Sequence, residues 1–316
     1  MSNLDVPEEQ AVSKRRQAVT DEGAKFESRP PRFELGRDVI LPDSTRVQLE
    51  ECIAKIDFHR QIYIDWGFGA VDPMGHSTIL NFYGPPGTGK TLAAEAFAGT
   101  LCMPIVSISI AELESKYMGE TGKNLQAAFR TAYEMDAVLF FDEADTLLGK
   151  RLSSVTQGID NEVNAMRSTL LIELERFDGI AIFATNFARN YDEAFRSRIT
   201  HHVRFDLPDE KARAGIWQRM LVEGIPLEGE RQSLVDAASR QSDGLSGRDI
   251  RTCMRLALPK ALVAARTTGA APRLQIEHIE SAIAEVVSAR HEVGSATGRS
   301  ESTSVLGAKR LLGIES

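Results

Sequence analysis

Cysteine is scarce in this chain. Cys52, Cys102 and Cys253 are the three in 316 residues. They are far apart and odd in number, which excludes a disulfide framework and any metal-type cysteine spacing. Each lies in an apolar or helical stretch and is expected to be a buried free thiol. Long apolar runs are missing as well, so no segment reaches the ~20 residues that cross a bilayer. The start of the chain carries Glu8, Glu9 and Lys14-Arg15-Arg16 where a secretory signal would be apolar. The expectation is a soluble, cytoplasmic protein. A basic excess is absent: the formal net charge is -8, which argues against wholesale nucleic-acid binding. No His-Glu-x-x-His pair is present, so the chain brings no zinc protease of its own. No internal repeat is visible.

What is present is a complete phosphate-binding loop, Gly84-Pro85-Pro86-Gly87-Thr88-Gly89-Lys90-Thr91. It follows the apolar run Ile79-Leu80-Asn81-Phe82-Tyr83 and opens the helical pattern Leu92-Ala93-Ala94-Glu95-Ala96-Phe97. Strand, glycine-rich turn and helix form the context that gives the motif meaning. Glycines let backbone N–H groups close around phosphate oxygens, and the helix N-terminus adds its positive end. Lys90 is expected on the β- and γ-phosphates and the Thr91 hydroxyl on Mg²⁺. The chain is expected to bind ATP with Mg²⁺.

The length suggests one large and one smaller domain. Residues 1–36 are polar, contain Arg29-Pro30-Pro31-Arg32, and read as a flexible N-terminal arm. A short strand is expected at Asp38–Leu41, then a helix capped by Asp43 or Ser44. Apolar runs at Ile105–Ile108, Ala137–Phe141 and Ile180–Ala184 read as buried parallel strands separated by helices. The segment from Asn161 to Arg176 puts Val163, Met166, Leu170 and Leu174 on one helical face. Strands alternating with helices mean an α/β domain of three layers with a parallel sheet, over residues 37–207. Beyond Pro208 the pattern is helical only: Glu210 to Val222, Gln232 to Gln241, Gly247 to Arg266 and Ile276 to Val287. Residues 208–293 therefore read as a small all-helical domain, and 294–316 as a disordered tail ending in the apolar pairs Val305-Leu306 and Leu311-Leu312.

A second motif, Val138-Leu139-Phe140-Phe141-Asp142-Glu143, ends an apolar strand in carboxylates. Asp142 would then sit at the sheet's C-terminal edge, near the phosphate loop, and hold the Mg²⁺ shell. Glu143 directly after it can act as general base on the attacking water. Thr185-Asn186 ends the next strand, where an amide can orient water without adding charge.

The order of phosphate loop, Asp-Glu strand, Thr-Asn strand end, arginine-bearing segment and helical lid resembles the AAA+ ATPases. The resemblance covers roughly residues 37–293. It implies a P-loop NTPase large domain followed by a lid, and a ring, usually a homo-hexamer, with ATP sites between subunits. It implies that Asn186 is the sensor-1 residue. Within Asp192-Glu193-Ala194-Phe195-Arg196-Ser197-Arg198-Ile199, it implies an arginine finger, for which Arg198 matches the family spacing and Arg196 is the alternative. Many relatives carry a second arginine three positions on, where His201 stands here. Gly244-Leu245-Ser246-Gly247-Arg248 resembles the lid motif whose arginine, Arg248, contacts ATP phosphate. A cation in a helix's first turn calls for an anionic partner of this kind.

Tyr117-Met118-Gly119, between the second strand and its helix, is similar to the pore loop of protein-translocating rings. It implies a grip on an extended client polypeptide, with Lys150 to Asn161 as a second pore loop. The lid motif together with Asp-x-Ala-Phe-x-x-Arg is similar to the pachytene-checkpoint ATPases. Their bacterial members remodel HORMA-domain proteins in anti-phage signalling. The function implied is a ring remodeller that partly unfolds a protein client, most specifically a HORMA complex. Sporulation-type and Rubisco-activase-type rings carry the same lid motif and form the alternative. A DNA-directed ATPase is the third reading, opposed by Tyr117-Met118-Gly119 and by the acidic balance.

Overall fold

The computed structural model describes residues 26–72, 75, 77–109, 113, 120–148, 158–186 and 192–292. Tyr117, Met118 and Gly119, residues 150–157 of the second pore-loop segment and the tail from 293 lie outside the described residues. The chain divides into two units, 1–206 and 207–316.

The first unit is built on a five-stranded sheet in the order β2-β3-β4-β1-β5. Its strands are β1 Thr78–Tyr83, β2 Ile105–Ser109, β3 Val138–Asp142, β4 Ile180–Thr185 and β5 His201–Arg204. All pairings are parallel. Apolar side chains alternate between the two faces, as a period of two requires. On one face Leu80, Phe82, Val138, Phe140, Ile180 and Ile182 pack with Ala94, Phe97, Leu49 and Cys52. On the other, Leu139, Phe141, Ala181 and Phe183 meet Leu125, Phe129, Leu170 and Leu174. Sheet residues buried on both faces explain the near-continuous apolar runs. Here the strand signal and the three-layer arrangement coincide.

Among the described residues the α-helices of this unit are α1 Leu35–Asp38, α2 Asp43–Asp57, α3 Lys90–Thr100, α4 Glu120–Glu134, α5 Asp145–Leu148, α6 Gly158–Arg176 and α7 Glu193–Arg196. Two expectations about these elements need correction, and one strand was not anticipated. The strand expected at Asp38–Leu41 is absent: Asp38 ends α1, and 39–42 have no regular structure. Helix α2 begins after Pro42, and neither Asp43 nor Ser44 caps it with a side chain. Its proline instead sets the entry, as proline does at helix starts. Strand β5 carried no sequence signal because it is a polar edge strand in which Val203 alone is buried.

The arm also differs from the reading of 1–36 as flexible. Residues 26–34 lie against the sheet unit. Phe26 is buried among the residues of one core face. Arg29 exchanges backbone hydrogen bonds with Ile105 at 3.0 and 2.9 Å, which pairs one residue against the outer strand β2. The carboxylate of Glu95 on α3 accepts from Arg29 at 2.7 and 2.8 Å and from the Arg32 side chain at 2.8 and 3.0 Å. A Pro-Pro segment between two arginines reads as polar loop, yet its charges are spent on one buried acid.

Cys52 and Cys253 are buried, but Cys102 is exposed. It lies in the turn after α3 with φ of 55°, outside the helix whose apolar face suggested burial.

The second unit contains α8 Glu210–Met220, α9 Arg231–Gln241 and α10 Gly247–Thr268, followed by α11 over 276–292. Trp217, Leu234, Ile250, Met254, Leu274 and Ile283 belong to its core. The Trp217 indole donates to the Ser242 hydroxyl at 2.9 Å, so its polar edge is satisfied inside the core.

Candidate active site

Parallel register aligns the strand ends that carry the candidate residues. Tyr83, just before the phosphate loop, sits opposite Thr185. Phe141, just before Asp142, sits opposite Phe183. The C-terminal edges of β1, β3 and β4 therefore converge, the place where open α/β sheets bind ligands.

Gly87 and Gly89 adopt φ of 79° and 100°, conformations that strain an L side chain. They turn the loop so that α3 can start at Lys90. Gly84 is constrained differently. Its φ is 146°, and a Cβ there would come within 2.0 Å of the Phe205 carbonyl oxygen. Lys90 is buried, and its ammonium donates to the Gly84 and Pro85 carbonyls at 2.8 and 2.9 Å. The Thr88 hydroxyl donates to the Pro85 carbonyl at 2.9 Å. The positive charge thus lies inside the loop.

The Thr91 hydroxyl donates to the Asp142 carboxylate at 2.9 Å. One hydroxyl and one carboxylate together suit Mg²⁺, which takes few protein oxygens and completes its shell with phosphate and water. The other oxygen of Asp142 accepts the Glu143 amide N–H at 2.9 Å. Glu143 is exposed and has φ of 52°. That conformation costs a non-glycine residue about 1–3 kcal/mol and gathers at functional sites.

Asn186 is exposed at the end of β4, and its backbone N–H donates to Asp145 at 3.0 Å. Asp145 belongs to no motif of the sequence. Its signal was an acid opening a helix three positions after Asp142. Further bonds tie α5 to its surroundings. The buried Arg167 of α6 donates from Nε to the Thr146 carbonyl at 3.0 Å, and Asp192 N–H donates to the Leu148 carbonyl at 3.0 Å. The helix following Glu143 therefore carries both the Asn186 end of β4 and the start of α7.

Arg198 and Arg196 flank the end of α7, whose N-cap is Asp192. Arg196 is exposed. Arg198 donates to the Ala194 carbonyl at 2.7 Å and pairs with Glu175 on α6. Arg248 belongs to the second unit, exposed in the first turn of α10. A capping box between Ser246 and Asp249 fixes that turn. The phosphate loop and the C-terminal ends of β3 and β4 thus carry Lys90, Thr91, Asp142, Glu143 and Asn186, while Arg198 follows α7 and pairs with Glu175 on α6.

Comparison with known proteins gives a consistent picture. Residues 80–207 match the AAA family, "ATPase family associated with various cellular activities". Spastin of Drosophila melanogaster is 35% identical over 181 residues, 54% of this chain and 23% of that protein. A putative 26S proteasome regulatory subunit homologue of Methanothermobacter marburgensis is 30% identical over 207 residues, 65% of this chain and 54% of that one. An uncharacterized AAA family ATPase of Sinorhizobium fredii is 37% identical over 148 residues, covering 46% and 44%. The chain thus spans between about a quarter and about half of the length of these relatives. In fold it is similar to the crystal structure of the FIGL-1 AAA domain in complex with ADP. The TM-score is 0.61 at 21% identity, over 90% of this chain and 92% of that one.

Proposed function

We propose that residues 80–207, which match the AAA family model, form an ATP-hydrolysing module, and that the chain is an ATP-driven ring remodeller of a protein client. The observation that carries this reading is the convergence of Lys90, the Thr91–Asp142 pair, Glu143 and Asn186 on one sheet edge. In the proposed reaction Lys90 and the loop amides bind the triphosphate. Thr91 and Asp142 would hold Mg²⁺, which would supply positive charge against the phosphates. Glu143 removes a proton from the attacking water, and the Asn186 amide orients that water. Arg198 acts on the site of the next subunit, so hydrolysis requires assembly, with a homo-hexamer as the ring. Arg248 contributes a further contact to phosphate.

The client is held by Tyr117, Met118 and Gly119 around the pore. Support comes from the aromatic-apolar-glycine triplet and from a relative named as a putative 26S proteasome regulatory subunit homologue. The finer reading is a HORMA-domain client in bacterial anti-phage signalling, supported by the Gly244–Arg248 and Asp192–Arg198 motifs. The test follows ATP-dependent release of a HORMA protein from its bound partner, beside phosphate production. Glu143→Gln should retain ATP binding and stop both readouts, and Lys90→Ala should lose binding. Tyr117→Ala should stop release. Equal release by Tyr117→Ala and the unaltered protein would sink threading through the pore.

A further inference from the structure

Arg198 is engaged on several sides within its own chain. One terminal nitrogen donates to the Ala194 carbonyl at 2.7 Å, the other pairs with the Glu175 carboxylate. Its Nε is buried with no partner among the described residues. The side chain keeps 26% of its exposure, whereas Glu175 keeps 53%. A guanidinium already facing a carboxylate offers less field to a phosphate, since the carboxylate cancels much of its charge at short range.

We propose that Glu175 is a positioning residue that parks the Arg198 finger until a neighbouring subunit presents a triphosphate. This rests on the reading of Arg198 as a finger acting between subunits. The parked state is weakly held, because an ion pair with a half-exposed carboxylate is screened by water and salt. A triphosphate with Mg²⁺ carries more negative charge than one carboxylate and matches the planar fork equally well. The guanidinium therefore exchanges partners, from Glu175 in its own chain to phosphate oxygens across the interface. No bond to carbon or phosphorus changes in that exchange.

The anchoring of α7 makes the exchange local. Asp192 N–H is bonded to the Leu148 carbonyl, and the Asp192 side chain caps α7 by accepting from Ala194 N–H at 3.0 Å. The backbone under Arg198 is thus held at its start, and the long side chain supplies the reach. Glu175 lies on α6, which Arg167 ties to the Thr146 carbonyl. Finger and parking site stand on separate elements, both bonded to the helix that follows Glu143. The nucleotide state at a subunit's own Glu143 has a short path to both.

The experiment compares steady-state ATP turnover of the full chain with Glu175→Gln, Arg198→Ala and the double variant, assembled rings being checked for each. Glu175→Gln should raise kcat about 1.5- to 5-fold, the range spanned by one exposed ion pair, with KM for ATP unchanged because its own phosphate loop is untouched. Glu175→Asp should restore most of the lower rate. In the Arg198→Ala background, Glu175→Gln should change nothing. A fall in kcat on Glu175→Gln would mean that the carboxylate supports the finger in its working pose, and an unchanged kcat that it does neither; each overturns the proposal. Should Arg198→Ala itself leave turnover intact, the finger assignment fails first and parking fails with it.

Discussion

Two guanidiniums decide the charge on Glu95. Arg29 first and Arg32 second hold this buried carboxyl far below the usual carboxylate range. In the unfolded chain it returns to about 4.3. A depressed folded value gives stability that is fully present above the unfolded value and lost as pH falls through the folded one. The melting temperature of the unaltered protein should exceed that of Glu95→Gln at neutral pH. The gap should shrink as the pH drops below about 4. A gap independent of pH would remove the charge from the account. The thiols divide at the same scale. Burial pushes Cys52 and Cys253 up to about 12, so little thiolate forms there near neutrality, whereas Cys102 is exposed. A thiol-specific reagent should therefore label one site per folded chain rapidly, and peptide mapping should place it at Cys102. Sequence alone could not make this distinction, because a left-handed turn residue and a core helix residue have the same apolar neighbours.

Helix α10 runs from Gly247 to Thr268 with Pro259 inside it. Proline in a helix interior removes a backbone donor and crowds the preceding turn, at a cost of about 3 kcal/mol. Pro259 is exposed, so its ring gains little from packing. Pro259→Ala should stabilise the second unit by about 1–3 kcal/mol, visible as an upward shift of its transition in calorimetry of the full chain. A downward shift would show that the proline serves the packing of the helix. The element had been legible despite the proline, because Ile250, Cys253, Met254, Ala257 and Ala261 keep helical spacing and are all buried. The strands β1 to β4 were legible for the related reason that both faces of the sheet are covered. What escaped was β5, whose residues alternate without an apolar pattern, and the run 26–34. There the stabilising contacts are one aromatic, one backbone pairing and an arginine clasp, none of which repeats along the chain. In the candidate site the motif residues were legible because they cluster in sequence. Asp145, Arg167 and Glu175 were not, since each acts on a partner brought close only by the fold.

At the scale of the assembled molecule, a finger that serves a neighbour has a distinctive genetics. Under the proposed roles, a ring made only of Arg198→Ala would lack the finger at every interface, and one made only of Glu143→Gln would lack the base. Mixed rings contain some interfaces where an intact Glu143 faces an intact Arg198, so mixing the two inactive variants should recover part of the hydrolysis. Absence of recovery in rings proven to be mixed would assign Arg198 to its own subunit. The chain that leads from the sheet to the second unit passes Gly84 on its way out. Phe205 N–H bonds to the Tyr83 carbonyl at 2.8 Å, and the Phe205 carbonyl occupies the space a side chain at position 84 would need. Substituting alanine there drives a wedge between two peptides before any phosphate is touched. Defective nucleotide binding in Gly84→Ala would thus report displaced backbone, and a mutational scan would credit position 84 with a phosphate contact on evidence of steric damage.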